Sequence, residues 1–275
     1  MKLKLQSKDL LLIAVLAAFI LGIIGVSHVV FGESSWGISA TFVGGVVVIL
    51  LLEERRRAQN RQEEALKTLG DTYSQIEALL SVRSEVDVHE AFPATRGWAA
   101  SPDYLRELIR LIREHDPQQI LEAGSGVSTV IAALALQKYG DGQIIALENG
   151  EEFADNTRRY LQLHGVQSNA TVVHAPLKKH SVDGRECAWY EMAATEGKQI
   201  DLLVIDGPPA LEESEARWPA LPLLWDQLNP GARILMDDGD REGERRVIED
   251  WSKRYPIQKT YLPLEEGAYL LERIQ

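Results

Sequence analysis

The sequence predicts an α/β fold: an open, mostly parallel, doubly wound sheet of seven strands ending in an antiparallel hairpin. Three observations predict it. Strand-like and helix-like stretches alternate from residue 101 onward. The central strand candidates are continuous apolar runs, as expected where helices cover both faces of a sheet. The last two candidates are separated only by Leu264, Glu265, Glu266 and Gly267, too short a link for a parallel crossover, so they must pair antiparallel.

The elements follow in chain order. Residues 10–31 carry no Asp, Glu, Lys or Arg. Roughly 22 helical residues span about 33 Å, the thickness of a bilayer core. Residues 34–52 are also uncharged, which predicts a second span over 38–52 and a transmembrane helical hairpin over 1–52. Gly44 and Gly45 leave room for close helix contact. Lys2, Lys4 and Lys8 precede the first span, Arg55, Arg56, Arg57 and Arg61 follow the second, and the connecting loop has no Lys or Arg. The positive-inside rule then places both ends in the cytoplasm, with the chain in the inner membrane. The alternative, a signal peptide, lacks a small-residue cleavage site and does not explain a second span.

Residues 53–92 read as a helical stalk and linker. Leu66, Leu69, Tyr73, Ile76 and Leu80 recur at spacings of three and four, the seam of a short coiled coil. Two readings stand: a homodimer through the 60–83 helix, or one helix packed on the domain that follows.

Residues 93–275 form the α/β domain. Ser101 as N-cap and Pro102 at the first helical position open a helix that stops before Pro117. Strand candidates are then QILEA, QIIALE, ATVVHA, IDLLVID, RILMDD, IQKTYLP and AYLLERI. Helices are expected at 128–139, 151–164, 212–228 and 242–255. The segment after ATVVHA, which holds Trp189, Tyr190 and Met192, reads as a peripheral excursion. Trp98 reads as a core residue or a substrate contact.

Composition narrows the function. A net charge of -12 argues against nucleic-acid binding, which needs a basic footprint. The single cysteine, Cys187, rules out an intrachain disulfide and a Cys-rich zinc site.

Ligands of such sheets bind at the carboxyl ends of the strands near the switch point. The turn after QILEA carries Gly124 and Gly126 but Thr129 where a dinucleotide fingerprint has its third glycine. No Lys-Ser/Thr pair follows, which excludes a Walker phosphate loop. Glu148, at the end of the second strand, suits ribose hydroxyls of either a dinucleotide or an adenosyl ligand.

The string LEAGSGVST, then ALE, VIDGPP and LNPGARILMDDGDREGE, resembles a class I S-adenosylmethionine-dependent methyltransferase, with a Rossmann-like seven-stranded sheet. It is similar to the bacterial branch with DGPP and DDxDRxxE motifs, related to catechol O-methyltransferase-like enzymes. The resemblance covers about residues 93–273 and implies S-adenosylmethionine as cofactor. It assigns Glu122, Gly124, Ser125, Gly126 and Ser128 to the methionine side of that cofactor, Glu148 to its ribose, and His174 and Ala175 to its adenine edge. Asp206 falls beside the sulfonium and the acceptor, as the catalytic candidate. Asp206, Asp237 and Asp238 correspond to acids that hold Mg²⁺ in relatives, where the ion would orient an acceptor hydroxyl. The bland readings stand beside these. Ser125, Ser128 and Thr129 also suit helix capping, and His174 suits a structural role. Arg217, Arg241 or solvent also suffices to neutralise the three acids. No general base is legible; Asp240 and Lys178 fit equally well as surface charges.

The expectation is therefore a membrane-anchored methyltransferase. Its reaction is O-methyl transfer to a small-molecule, glycan or lipid-linked acceptor at the cytoplasmic membrane face. The alternatives are an NAD(P)-dependent oxidoreductase and a non-catalytic membrane scaffold.

Overall fold

The structure, a computed structural model, describes residues 21, 22, 25, 26, 28–30, 32, 35–88, 90–209 and 215–274, with the side chains of 35–42 outside that description. The chain divides into two compact units, Met1–Gly70 and Asp71–Gln275.

In the first unit the main element is the helix α1, Ser35–Glu85, which continues through Gly70 into the second. The expected span at 38–52 and the stalk are thus parts of one helix, with no break between them. The expected span at 10–31 falls largely outside the described residues. Among the described residues no helix is long and apolar enough to cross a membrane.

The five residues of the expected seam are each 50% exposed or more. Another face of the same helix is covered in the second unit, where Gln75, Ala78 and Val82 are buried.

The second unit holds the sheet. After α1 come α2 (Pro102–His115), β1 (Gln119–Ala123), α3 (Val127–Tyr139), β2 (Gln143–Glu148), α4 (Glu151–Leu163) and β3 (Ala170–His174). The hairpin β4 (Leu177–Val182) and β5 (Arg185–Tyr190) follows, then β6 (Ile200–Ile205), α5 (Ala220–Leu224), β7 (Leu228–Asp237), α6 (Glu242–Arg254), β8 (Ile257–Leu262) and β9 (Ala268–Arg273). The seven-stranded sheet has the order β3-β2-β1-β6-β7-β9-β8. β1, β2, β3, β6 and β7 run parallel, whereas β9 is antiparallel to both β7 and β8. The order reverses between β1 and β6, so the crevice above their carboxyl ends is the switch point.

Alternation along the strands feeds two cores. Ile120, Leu202 and Val204 join the layer built by Tyr104, Leu108, Val130 and Ile131 on α2 and α3. Leu121, Leu203 and Ile205 join the layer of Trp189, Trp218, Val247 and Trp251. The helix α3 is buried along nearly its whole length, because α2 and α4 cover it in turn.

Three expectations change. Residues 212–228 do not form one helix: the described part has only α5 and a short 3-10 turn, Trp225–Gln227. Pro219 and Pro222 explain this, since a proline lacks the amide donor and disfavours helical backbone in the residue before it. The excursion after β3 is an ordered hairpin, turned by Asp183 and Gly184 at φ 53° and 77°, the two-residue turn that Asp-Gly favours. Trp98 is 81% exposed and does not belong to the core.

Candidate active site

Backbone bonds first knit the strand ends together. Gly124 N donates to Leu147 O (2.9 Å), Gly207 N to Ala123 O (2.8 Å) and Ala175 N to Glu148 O (2.7 Å). They fix the carboxyl edges of β1, β2, β3 and β6 as one rim. The turn from β1 into α3 sits on it. Gly124 has φ +113°, and a Cβ there would lie 3.4 Å from Gly207 N. That positive φ is a backbone glycine adopts without strain.

Glu122 is fully buried on β1. Its Oε1 accepts from Ser128 Oγ at 2.5 Å and its Oε2 from Thr129 Oγ1 at 2.6 Å. Thr129 Oγ1 in turn accepts from Gly126 N at 3.1 Å. These bonds tie the first turn of α3 to the strand below it. Burial pushes the Glu122 carboxyl up to about 8, against the opposing pull of the two hydroxyls. Glu122, Ser128 and Thr129 therefore find their partners within the chain.

Glu148 closes the next strand and is 7% exposed. Ser125 Oγ donates to its Oε2 at 2.9 Å, and Gly150 N to its Oε1 at 2.9 Å. Each carboxylate oxygen carries two acceptor positions, so both keep one for a ligand hydroxyl. His174 is the register partner of Glu148 on β3 and is exposed, with Ala175 buried behind it. Ser125, Glu148, His174 and Ala175 thus form one continuous edge beside Gly124 and Gly126.

Asp206, Asp237 and Asp238 gather at the ends of β6 and β7. The buried Arg217 guanidinium lies among them. It donates to Asp237 O at 2.8 Å, to Asp206 O at 2.6 Å and to Asp238 Oδ2 at 2.5 Å. Arg241 pairs with the other Asp238 oxygen at 2.9 Å. Asp237 Oδ1 accepts from Asp238 N at 2.8 Å. These three acids do not fit the expected magnesium ion, because Arg217 already contacts the carboxylates of Asp206 and Asp238 and the carbonyls of Asp206 and Asp237. Among the described residues no group of three His, Cys, Asp or Glu side chains is arranged to hold a metal ion. Within the cluster the Asp206 side chain stays 23% exposed, against 8% for Asp238 and 1% for Glu244. Burial raises the Asp206 carboxyl above the usual range, Arg217 opposes this, and Asp238 adds to it.

Two residues were not singled out from sequence. Glu244, buried on α6, lies 3.7 Å from Arg217 Nε. Tyr104 is fully buried on α2, and its hydroxyl has no hydrogen-bond partner among the described residues. Burial, with Asp237, Asp206 and Glu122 as charged neighbours, holds that phenol well above its usual range. A polar tip within the apolar stripe of α2 was its only sequence signal. The alternative bases stay peripheral: Asp240 pairs with Arg245 at 2.8 Å and Lys178 with Glu191 at 2.5 Å.

Comparison with known proteins agrees with this geometry. Residues 121–239 match the family model described as a methyltransferase domain. That segment runs from within β1 to just past β7 and holds every site residue predicted from sequence. No curated protein matches the chain significantly. Among solved structures, the SAH-bound methyltransferase PaMTH1 of Podospora anserina aligns with a TM-score of 0.52 at 16% identity, covering 73% of this chain and 87% of that one. The cofactor-bound Rv0187 from MTB aligns with a TM-score of 0.50 at 18% identity, covering 74% and 89%. Both likenesses are of fold.

Proposed function

We propose that the chain is a methyltransferase that uses S-adenosylmethionine and transfers its methyl group to a hydroxyl. The acceptor would be a small-molecule, glycan or lipid-linked compound at the cytoplasmic face of the inner membrane. The observation that carries the reading is the rim formed by Gly124, Ser125 and Glu148. The rim offers a close backbone approach next to a carboxylate whose two oxygens each keep an open acceptor position. That matches the vicinal hydroxyls of a ribose beside an extended amino-acid chain.

Bound S-adenosylmethionine supplies an electrophilic methyl on a sulfonium. The residues of this chain do the rest. Glu148 orients the sugar, and the glycine turn sets the depth of the cofactor. Asp206, the most exposed acid of the cluster, is the group placed to take the acceptor's proton. Asp206 would take the proton that the acceptor hydroxyl gives up as its oxygen gains the methyl group and the thioether leaves. Holding the reactants in line supplies much of the acceleration.

The membrane anchor belongs to the same proposal. It rests on the uncharged stretches at 10–31 and 34–52 and on the Lys and Arg residues that flank them. The exposed seam from Leu66 to Leu80 supports a homodimer through the 60–83 helix, since spacings of three and four are self-complementary between two copies.

Calorimetry separates the cofactor readings. Titration of the full chain with S-adenosylhomocysteine is expected to show one site, with no response to NAD⁺ or NADP⁺. Saturable NAD(P) binding with no S-adenosylhomocysteine response would establish the oxidoreductase reading instead. Binding of neither ligand would leave the scaffold.

A further inference from the structure

The cation of the acidic cluster is built into the chain. Arg217 is 2% exposed, and its guanidinium bridges the ends of two neighbouring strands. One nitrogen meets the Asp206 carbonyl (2.6 Å) and Asp238 Oδ2 (2.5 Å), and the other meets the Asp237 carbonyl (2.8 Å). Asp206 Oδ1 lies 3.6 Å from the same group, and Glu244 Oε1 3.7 Å from its Nε. A planar fork of donors suits two carbonyls and a carboxylate laid out in this way. A magnesium ion bound by Asp206 and Asp238 needs a near-octahedral set of oxygens close to 2.1 Å. The guanidinium stands between those same oxygens, and Arg241 engages Asp238 from its other side at 2.9 Å.

We infer that Arg217 is a positioning residue that takes the place of the divalent cation, so that this methyltransferase is metal-independent. The inference rests on the methyltransferase reading for its enzymatic consequence but not for its structural one. Arg217 holds Asp206 at the mouth of the crevice and Asp238 beneath it, and it is too buried to touch the acceptor itself. The acceptor hydroxyl is then addressed by Asp206 rather than drawn to a metal.

The test uses the full chain in detergent, with Mn²⁺ as the probe and two readouts, calorimetric binding and thermal melting. The wild-type protein is expected to bind no Mn²⁺ below millimolar concentration and to melt at the same temperature in EDTA and in Mg²⁺. Its affinity for S-adenosylhomocysteine is expected to be the same in both. Arg217→Met removes the charge and keeps the stem. That variant is expected to melt lower, to bind Mn²⁺ at least tenfold more tightly than wild type, and to regain melting temperature when Mn²⁺ is added. Micromolar Mn²⁺ binding by the wild type, or a melting temperature that falls in EDTA and recovers with Mg²⁺, overturns the inference. A folded Arg217→Met protein that gains no Mn²⁺ affinity overturns it as well. If that variant does not fold, the wild-type titration decides alone. Failure to bind S-adenosylhomocysteine in any buffer sinks the cofactor reading and leaves the metal result standing.

Discussion

Glu122 shows how one buried carboxyl couples the site to pH. Its folded value is raised to about 8 from 4.5. Below pH 4.5 it is neutral in both folded and unfolded chains, and its contribution to stability is fully present. As pH rises towards 8 the unfolded chain ionises first, so that contribution is lost across the window and the loss levels off above it. Glu122→Gln removes the titration. The stability of wild type relative to this variant is expected to fall by on the order of 1 kcal/mol per pH unit between about pH 5 and 8. Denaturant titrations at several pH values check this, and parallel curves for the two proteins would contradict it. Glu148 makes a different prediction. Hydrogen bonds to a charged group contribute about 1.5–3 kcal/mol each, so Glu148→Ala is expected to weaken S-adenosylhomocysteine binding at least tenfold while the fold survives. Calorimetry on both proteins measures this. The sequence marked both acids by their places at strand ends. It did not reveal that Ser128 and Thr129 turn back onto Glu122, because that contact depends on how α3 packs over β1. Nor did it reveal which arginine fills the acidic cluster, since Arg217 is brought to Asp206 and Asp237 by a loop with no regular pattern.

The turn between β1 and α3 is where local backbone decides function. Gly124 combines φ +113° with a close approach to Gly207 N. Gly124→Ala is expected to cost about 1–3 kcal/mol through backbone strain and to weaken cofactor binding as the rim is pushed apart. A urea midpoint and a binding isotherm check the two effects separately, and an unshifted midpoint would refute the strain argument. The central strands of the sheet were legible because they are short apolar runs bounded by turn residues. The stretch at 212–228 was misread because its apolar spacing suggested a helix, although Pro219 and Pro222 forbid a long one. The β4–β5 hairpin carried a readable sign in Asp183-Gly184. Its first strand, β4, is polar and mostly exposed, so apolar periodicity did not announce the pair.

The chain as a whole joins an α/β domain to a long N-terminal helix with an exposed apolar seam. In the proposed dimer, Leu69 and Ile76 lie at matching positions of the two helices. Replacing both by Glu is expected to convert a detergent-solubilised dimer into a monomer in sedimentation experiments, with S-adenosylhomocysteine affinity unchanged. A monomeric wild-type protein would dismiss the dimer. The mostly parallel sheet and its antiparallel last hairpin were readable because both follow from alternation and from the short link at 264–267. The fate of α1 was less readable, since a helix with one face buried on its own domain and another left bare satisfies both readings of the seam.

A structure of the full chain with S-adenosylhomocysteine is the most direct trial of this view. The ribose hydroxyls are expected within about 2.6–3.2 Å of the Glu148 carboxylate, with the amino-acid portion lying over Gly124 and the sulfur facing Asp206. A ligand bound away from that rim, or a Glu148 carboxylate that keeps only Ser125 and Gly150 as partners in the complex, would contradict it.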